Sequence, residues 1–395
     1  MKKTPHPIYN LQFGLLCMSS LLFSASFNML IPELPAYLSS LGGAEYKGLI
    51  IALFTLTAGI SRPFSGRLTD TVGRVPVMAV GSIVCFVCGL LYPILSSVAG
   101  FLFLRLMHGF STGFKPTATA AYVADIAPKE RWGEALGMHG LFFSTGMALG
   151  PAMGGYIALH FNIDVLFYVS SALALLSILI IMRMKETLND NQKFRPALLK
   201  INRRDIILKQ AIPAAMVNLL SCLSYGTMLT LIPDKSESLG IANKGTFFMV
   251  LTITSLVMRF LAGKASDRYG RVRVMRYGLM ILVVALTLTG FADSALMFLL
   301  AAGVYGIAQG VYSPSLNAWI IELSSPENRG KAVATSYMAM EAGIGAGAAI
   351  AGWYYADNLA HIPAMFYFAA IIVVISIVYA YYWEKKVKPA LPENA

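Results

Sequence analysis

Charge is scarce in this sequence. Only 13% of its 395 residues are Asp, Glu, Lys or Arg, where soluble chains carry roughly 25%. The chain is therefore too poor in charge to cover a soluble surface, and long stretches hold no charge at all. Cysteine is scarce too: Cys17, Cys85, Cys88 and Cys222 are the full set, all inside apolar runs. Cys85-x-x-Cys88 on such a run reads as packing and not as a redox or metal pair. The five histidines are scattered. There is no phosphate-binding loop, and no nucleophile elbow or zinc-protease motif. ATP-driven pumping and enzymatic chemistry are unsupported, and no cofactor or metal is expected. Any energy the protein uses must come from an ion gradient or from its substrate's own gradient.

Apolar length is what the chain has. Hydrophobic residues make up 57% of it, and a bilayer span needs about 20 of them in sequence. Twelve spans are expected: 11–38, 46–68, 76–96, 100–124, 132–159, 163–183, 206–233, 245–266, 272–291, 295–322, 330–355 and 362–383. The fold class is an all-α membrane protein, with both termini on one side. The net charge of +11 does not point to nucleic acid, because it is distributed by side. The basic residues cluster at the N-terminus, in the 67–74 and 264–276 loops, in the 183–209 stretch and in the tail. Only Lys47, Lys235 and Lys244 fall on the opposite side. Positive charge marks the cytoplasmic face, so both termini are expected there, in a multi-pass protein of the cell inner membrane contacting anionic lipid heads. The apolar run after the basic N-terminus continues to Leu38 with no small-residue cleavage site, which reads as a first span and not as a signal peptide.

The chain repeats itself. A shift of 197 residues superposes Lys47-Gly48 on Lys244-Gly245, Arg62 on Arg259, Gly109 and Gly113 on Gly306 and Gly310, and Gly146, Gly150 and Gly155 on Gly343, Gly347 and Gly352. Each copy holds six spans, an even number. The expected architecture is two six-helix bundles, 1–184 and 206–395, related by a pseudo-two-fold along the membrane normal, with substrate handled between them. The linker 185–205 is polar and basic, and little packed structure is expected of it.

One loop recurs in both halves: Gly66-Arg67-x-x-Asp70-x-x-Gly73-Arg74 and Gly263-Lys264-x-x-Asp267-x-x-Gly270-Arg271. Glycines allow a tight reversal, and each closing arginine has a carboxylate within reach at the end of another span, Asp125 or Glu322. This doubled loop resembles the signature of the major facilitator superfamily. The resemblance implies a cytoplasmic latch that breaks and reforms during transport. In the fifth span, Gly137, Gly146, Gly150-Pro151 and Gly154-Gly155 resemble the antiporter motif of the drug–proton exporters in that superfamily. The second half keeps glycines but has Ala348 in place of Pro151.

Ionisable residues inside spans are costly and point to function. Arg105, in the fourth span, is matched by Ala302 in the second half; similar antiporters carry an arginine there that assists proton transfer. Lys115 has two open readings: it snorkels to the cytoplasmic edge, or it lines a cavity and meets an anion or a carboxylate. Exporters of this kind often have an acid four residues before the first-span proline, where this chain has Asn28; Glu33 is a substitute near the outer end. Glu341, mid-span in the eleventh helix, is the first choice for the proton site, with a structural ion pair as the competing reading. Further candidates for the substrate cavity are His139, Ser144, Asn218, Tyr225, Gln309 and Asn317. The expected function is proton-coupled export of a small drug-like or metabolite molecule by a monomer; the alternative is proton-coupled import of a sugar or organic anion anchored by Lys115.

Overall fold

The computed structural model of the chain describes residues 10–128, 131–200, 206–325 and 328–387, without the side chains of residues 133, 260–265, 267, 386 and 387. Among the described residues all regular structure is helical: α1 (Leu11–Asn28), α2 (Leu34–Ser40), α3 (Lys47–Thr71), α4 (Arg74–Leu91), α5 (Val98–Ile126), α6 (Trp132–His160), α7 (Ile163–Ile181), α8 (Ile212–Ser238), α9 (Thr246–Tyr269), α10 (Arg271–Phe291), α11 (Ala295–Glu322), α12 (Arg329–Tyr355) and α13 (Ile362–Val387).

The first apolar run is not one helix. The expected span 11–38 is broken after Asn28, and a short second helix starts at Leu34. Two prolines explain this. Pro32 has no N–H to continue the ladder, and each proline disfavours helical geometry in the residue before it. Pro35 then sits in the first turn of α2, where a missing N–H costs nothing. Other starts are fixed by side-chain caps: Asn10, Ser97, Asn162 and Ser294 each accept from the amide three residues on, a contribution of about 1 kcal/mol apiece.

The chain forms two compact units. One comprises Met1–Gly43, Leu56–Asn202 and Asn243–Gly245; the other comprises Ala44–Thr55, Arg203–Ala242 and Thr246–Ala395. Helix α3 thus begins in the second unit and ends in the first. Within the first unit α1 packs on α6 and α7, and α4 on α5 and α7. Within the second, α8 packs on α12 and α13, and α10 on α11 and α13. The sequence repeat is therefore also a repeat of helix pairings. The first unit's core gathers Phe13, Leu16, Val77, Met78 and Tyr122, with Leu198 from the linker packed against it.

Among the described residues, eight helices are long and apolar enough to cross a membrane: α1, α3, α4, α7, α8, α10, α11 and α13. Of the long helices outside that set, three hold what dilutes hydropathy: Arg105 and Lys115 in α5, the glycine string in α6, and Glu341 with its glycines in α12.

Candidate functional site: sealed polar side chains and two glycine seams

The loop closing α3 is built around two arginines. Arg74 Nε donates to Asp125 Oδ2 at 2.9 Å, its Nη1 lies 3.4 Å from Asp70 Oδ1, and Nη1 also donates to the Thr69 carbonyl at 2.5 Å. Arg67 donates to the carbonyl of Lys200. Gly73 has φ +134°, and a Cβ there would run into the Glu186 carboxylate. In the second unit Arg271 Nε lies 3.3 Å from Glu322 Oε2, and Gly270 has φ +90° with open space around it. Gly66 also has room, its nearest neighbour being Thr117. The side chains of Gly263, Lys264 and Asp267 lie outside the described residues.

The linker is more structured than its composition suggests. Glu186 accepts from the amides of Arg74 and Val75 at 3.0 and 2.9 Å, and from those of Thr187 and Leu188 at 2.9 Å. It thereby caps α4, whose N-cap Gly73 has no side chain to do so. Thr187 donates to Asp125 at 2.6 Å, and the amide of Gln192 to the Thr71 carbonyl at 2.8 Å. A polar, basic segment reads as solvated because no periodicity marks it. What orders it is backbone geometry: the first amides of α4 need an acceptor, and the positive end of that helix favours a carboxylate. Replacing Glu186 by Ala should cost about 1–2 kcal/mol of local stability. Limited trypsin digestion at Lys193 should then proceed roughly ten-fold faster; an unchanged cleavage rate would show that the cap does not hold the linker down.

Two glycine seams follow the helix pairs. On α6, a Cβ at Gly146, Gly150 or Gly154 would strike the backbone of α1 at Leu21, Ala25 or Met29. On α12, a Cβ at Gly343 or Gly347 would strike the carbonyls of Leu219 or Leu223 on α8. Gly155 is occupied differently, by Asn243, whose amide donates to the Ala152 carbonyl at 3.0 Å. The carbonyl of Pro151 itself abuts Gly245. Gly137 has nothing within 4 Å. Lipid gives helices no hydrophobic reason to associate, so close backbone approach supplies the packing.

Lys115 is fully enclosed in the first unit, at 1% exposure. Its ammonium donates to the Ser19 carbonyl at 3.0 Å, to Ser19 Oγ at 2.8 Å and to Ser177 Oγ, and lies 4.6 Å from the centre of the Phe23 ring. The snorkelling reading is thus overturned. Pro116 follows it inside α5, and the side chain runs inward to α1 and α7, where serines offer as many oxygens as it has hydrogens. Pairing with a carboxylate is overturned as well, since its partners are serine oxygens. Arg105, also at 1% exposure, donates to Tyr92 Oη at 3.4 Å. His139 contacts Ser20 Oγ at 2.9 Å, and the Asn28 amide turns back on the Ser24 carbonyl at 2.8 Å. Ser144 is buried on α6, and Glu33 stands at the N-cap of α2.

In the second unit Glu341 is buried at the middle of α12. Asn218 on α8 donates to Ser336 Oγ and to the Ser336 carbonyl at 2.8 and 3.1 Å, and accepts from Cys222 at 3.2 Å. Ser224 and Tyr305 hydroxyls lie 3.3 Å apart. Tyr225 and Gln309 are half-buried, and Asn317 is exposed on α11.

One cluster escaped sequence reasoning. Lys47 Nζ lies 2.7 Å from Asp234 Oδ2 and 2.5 Å from Asp357 Oδ1, with the Tyr355 ring 5.6 Å away. Lys47 and Asp234 are nearly buried, and Ala356 and Asp357 both adopt positive φ, +44° and +58°. Two successive non-glycine residues in that region carry strain, which the ion pairs and the Tyr355 contact offset. The sequence showed Lys47 and Asp234 only as separate charges at helix ends.

Sealed cations, a mid-helix acid and backbone-tight seams on apolar helices describe a polytopic membrane protein with a polar interior. Among the described residues no group of His, Cys, Asp and Glu is arranged to hold a metal ion. The chain belongs to the Major Facilitator Superfamily, whose model matches residues 16–233 and 214–395. It is similar to the multi-drug resistance efflux pump PmrA of Streptococcus pneumoniae serotype 4, with 28% identity over 84% of this chain and 87% of that one. It is also similar to multidrug resistance protein 2 of Bacillus subtilis, with 25% identity over 93% of both. Among solved structures, the human organic anion transporter MFSD10 shares the fold, with a TM-score of 0.73 at 20% identity, covering 93% of this chain and 98% of the other. The chain is thus a membrane transporter of this superfamily, with relatives in its drug–proton antiporter branch.

Proposed function

We propose that the chain exports a small drug-like or metabolite molecule across the cytoplasmic membrane, exchanging it for protons by alternating access. The observation carrying this reading is the pairing of its efflux-pump relatives, similar over most of the chain, with a buried carboxylate midway along α12. A carboxyl group in a span is costly when ionised and so is suited to taking up and releasing a proton. Twelve spans in two six-helix bundles, with both termini cytoplasmic, are part of the same reading. So are a latch role for the Arg74–Asp125 and Arg271–Glu322 pairs, and function as a monomer. Lys115, the anchor an importer of organic anions would use, is already saturated by serine oxygens, which favours export over that alternative.

The test is reconstitution in liposomes with an imposed pH gradient and ethidium as the probe. Ethidium should move against its gradient while the pH difference lasts and stop when an ionophore collapses it. Movement indifferent to the collapse would refute proton antiport.

A further inference from the structure

A second set of titratable groups lies in the first unit, away from Glu341. Arg105 Nη1 donates to Tyr92 Oη at 3.4 Å. Tyr92 Oη lies 3.2 Å from His108 Nδ1, His108 Nε2 lies 3.2 Å from Cys85 Sγ, and Cys85 Sγ lies 3.0 Å from Ser26 Oγ. Tyr92, His108, Cys85 and Ser26 are all fully buried. Four consecutive contacts thus run from α5 to Tyr92 at the C-terminal cap of α4, back to α5, to α4 itself, and finish on α1.

The order of donors follows from the guanidinium. Arginine only donates, so the phenol oxygen accepts from it, and the phenol hydrogen is free to point at Nδ1. With the phenol hydrogen there, Nδ1 accepts and the neutral ring's proton is on Nε2, toward the sulfur of Cys85. The thiol hydrogen is then directed at Ser26. We infer that His108 is a proton-carrying group of this transporter, and that Tyr92 transmits its charge state to Arg105; the inference rests on the antiport reading above.

The exchange balances simply. A proton taken from one aqueous phase bonds to Nδ1, the Tyr92 hydroxyl hydrogen turns away, and its oxygen now accepts from two cations. Imidazolium and guanidinium then flank a single phenol in a fully buried site, where like charges repel strongly. Loss of the proton to the other phase restores the first arrangement. The titratable and charged groups around His108 are Cys85, Cys88 and Tyr92 from α4 and Arg105 and Lys115 from α5. Helices α1 and α7 bring Ser26 and, against Tyr92, the Phe167 ring, which do not titrate. His139 of α6 is turned to Ser20, and Tyr37 of α2 bonds the Tyr92 carbonyl. A histidine placed only for packing would stay neutral at every pH at which the protein transports.

The chain holds five histidines, so nitrogen NMR of the full protein in lipid nanodiscs, labelled at histidine, can resolve the rings. His108→Gln identifies its signal by deletion. The signal should pass from the Nε2-protonated neutral form to imidazolium as pH falls across the range in which a gradient drives export, and Tyr92→Phe should move the midpoint. A ring that stays neutral throughout, or a midpoint unmoved in Tyr92→Phe, overturns the inference. In liposomes, gradient-driven ethidium export should fall at least about five-fold in His108→Gln, with ethidium exchange in the absence of a gradient retained. A gradient-driven wild type whose His108→Gln variant keeps the same rate and pH profile overturns this inference alone. A wild type that ignores the gradient overturns the antiport reading instead.

Discussion

Replacing Glu341 by Gln is expected to uncouple transport from the pH gradient. Gln has nearly the shape of the protonated acid and keeps hydrogen-bonding capacity, so helix α12 should pack as before. What it cannot do is give up a proton. If proton and substrate are coupled through this side chain, the coupling free energy is shared. The proton alters substrate affinity by the same factor that substrate alters proton affinity, about 5–150-fold for couplings of ordinary size. Two measurements follow. Ethidium binding to the wild type should change with pH by a factor in that range, and binding to Glu341→Gln should lose most of that dependence. Gradient-driven export should fall by the same order, while exchange without a gradient persists. A variant that still concentrates ethidium like the wild type would remove Glu341 from the mechanism and leave the first unit's groups as the alternative.

The second large effect is structural and uses one motif as its own control. Gly154→Ala should disrupt folding, because the added methyl would overlap the Met29 carbonyl of α1. Backbone cannot swing away as a side-chain tip can, so α1 and α6 would have to separate along the whole seam. Overpacking of this kind costs about 1–3 kcal/mol or more. Gly137→Ala, in the same helix and the same motif, meets nothing within 4 Å. It should be neutral or stabilising by up to about 1 kcal/mol, since alanine is the better helix former. Thermal unfolding of the two purified variants makes the comparison. Equal behaviour would mean that the close approach at Gly154 is not what holds α1 to α6.

The contrast between those glycines shows why the motif was only partly legible. Spacing in the sequence placed Gly146, Gly150 and Gly154 on one helical face, but it could not say which helix that face meets. The same limit applied to charge. Arg105, Lys115 and Glu341 stood out because ionisable residues in apolar runs are rare. Their partners did not stand out, since serines at positions 19 and 177 look ordinary until α1, α5 and α7 are packed. Glu186 and Asp357 were missed for a related reason. One satisfies the amides of a helix that starts far from it in sequence, and the other closes an ion cluster whose members come from three separated segments.

The sequence by itself determined the helical class, the membrane setting, the repeat and the family, because hydropathy, glycine spacing and a doubled loop are local or periodic signals. Tertiary structure decided which buried polar groups face each other: Lys115 with its serines, Lys47 between two aspartates, His108 between Tyr92 and Cys85. Desolvation leaves such groups no choice but to find a partner. Which partner they find depends on which helices pack together, and that is not written in any one segment.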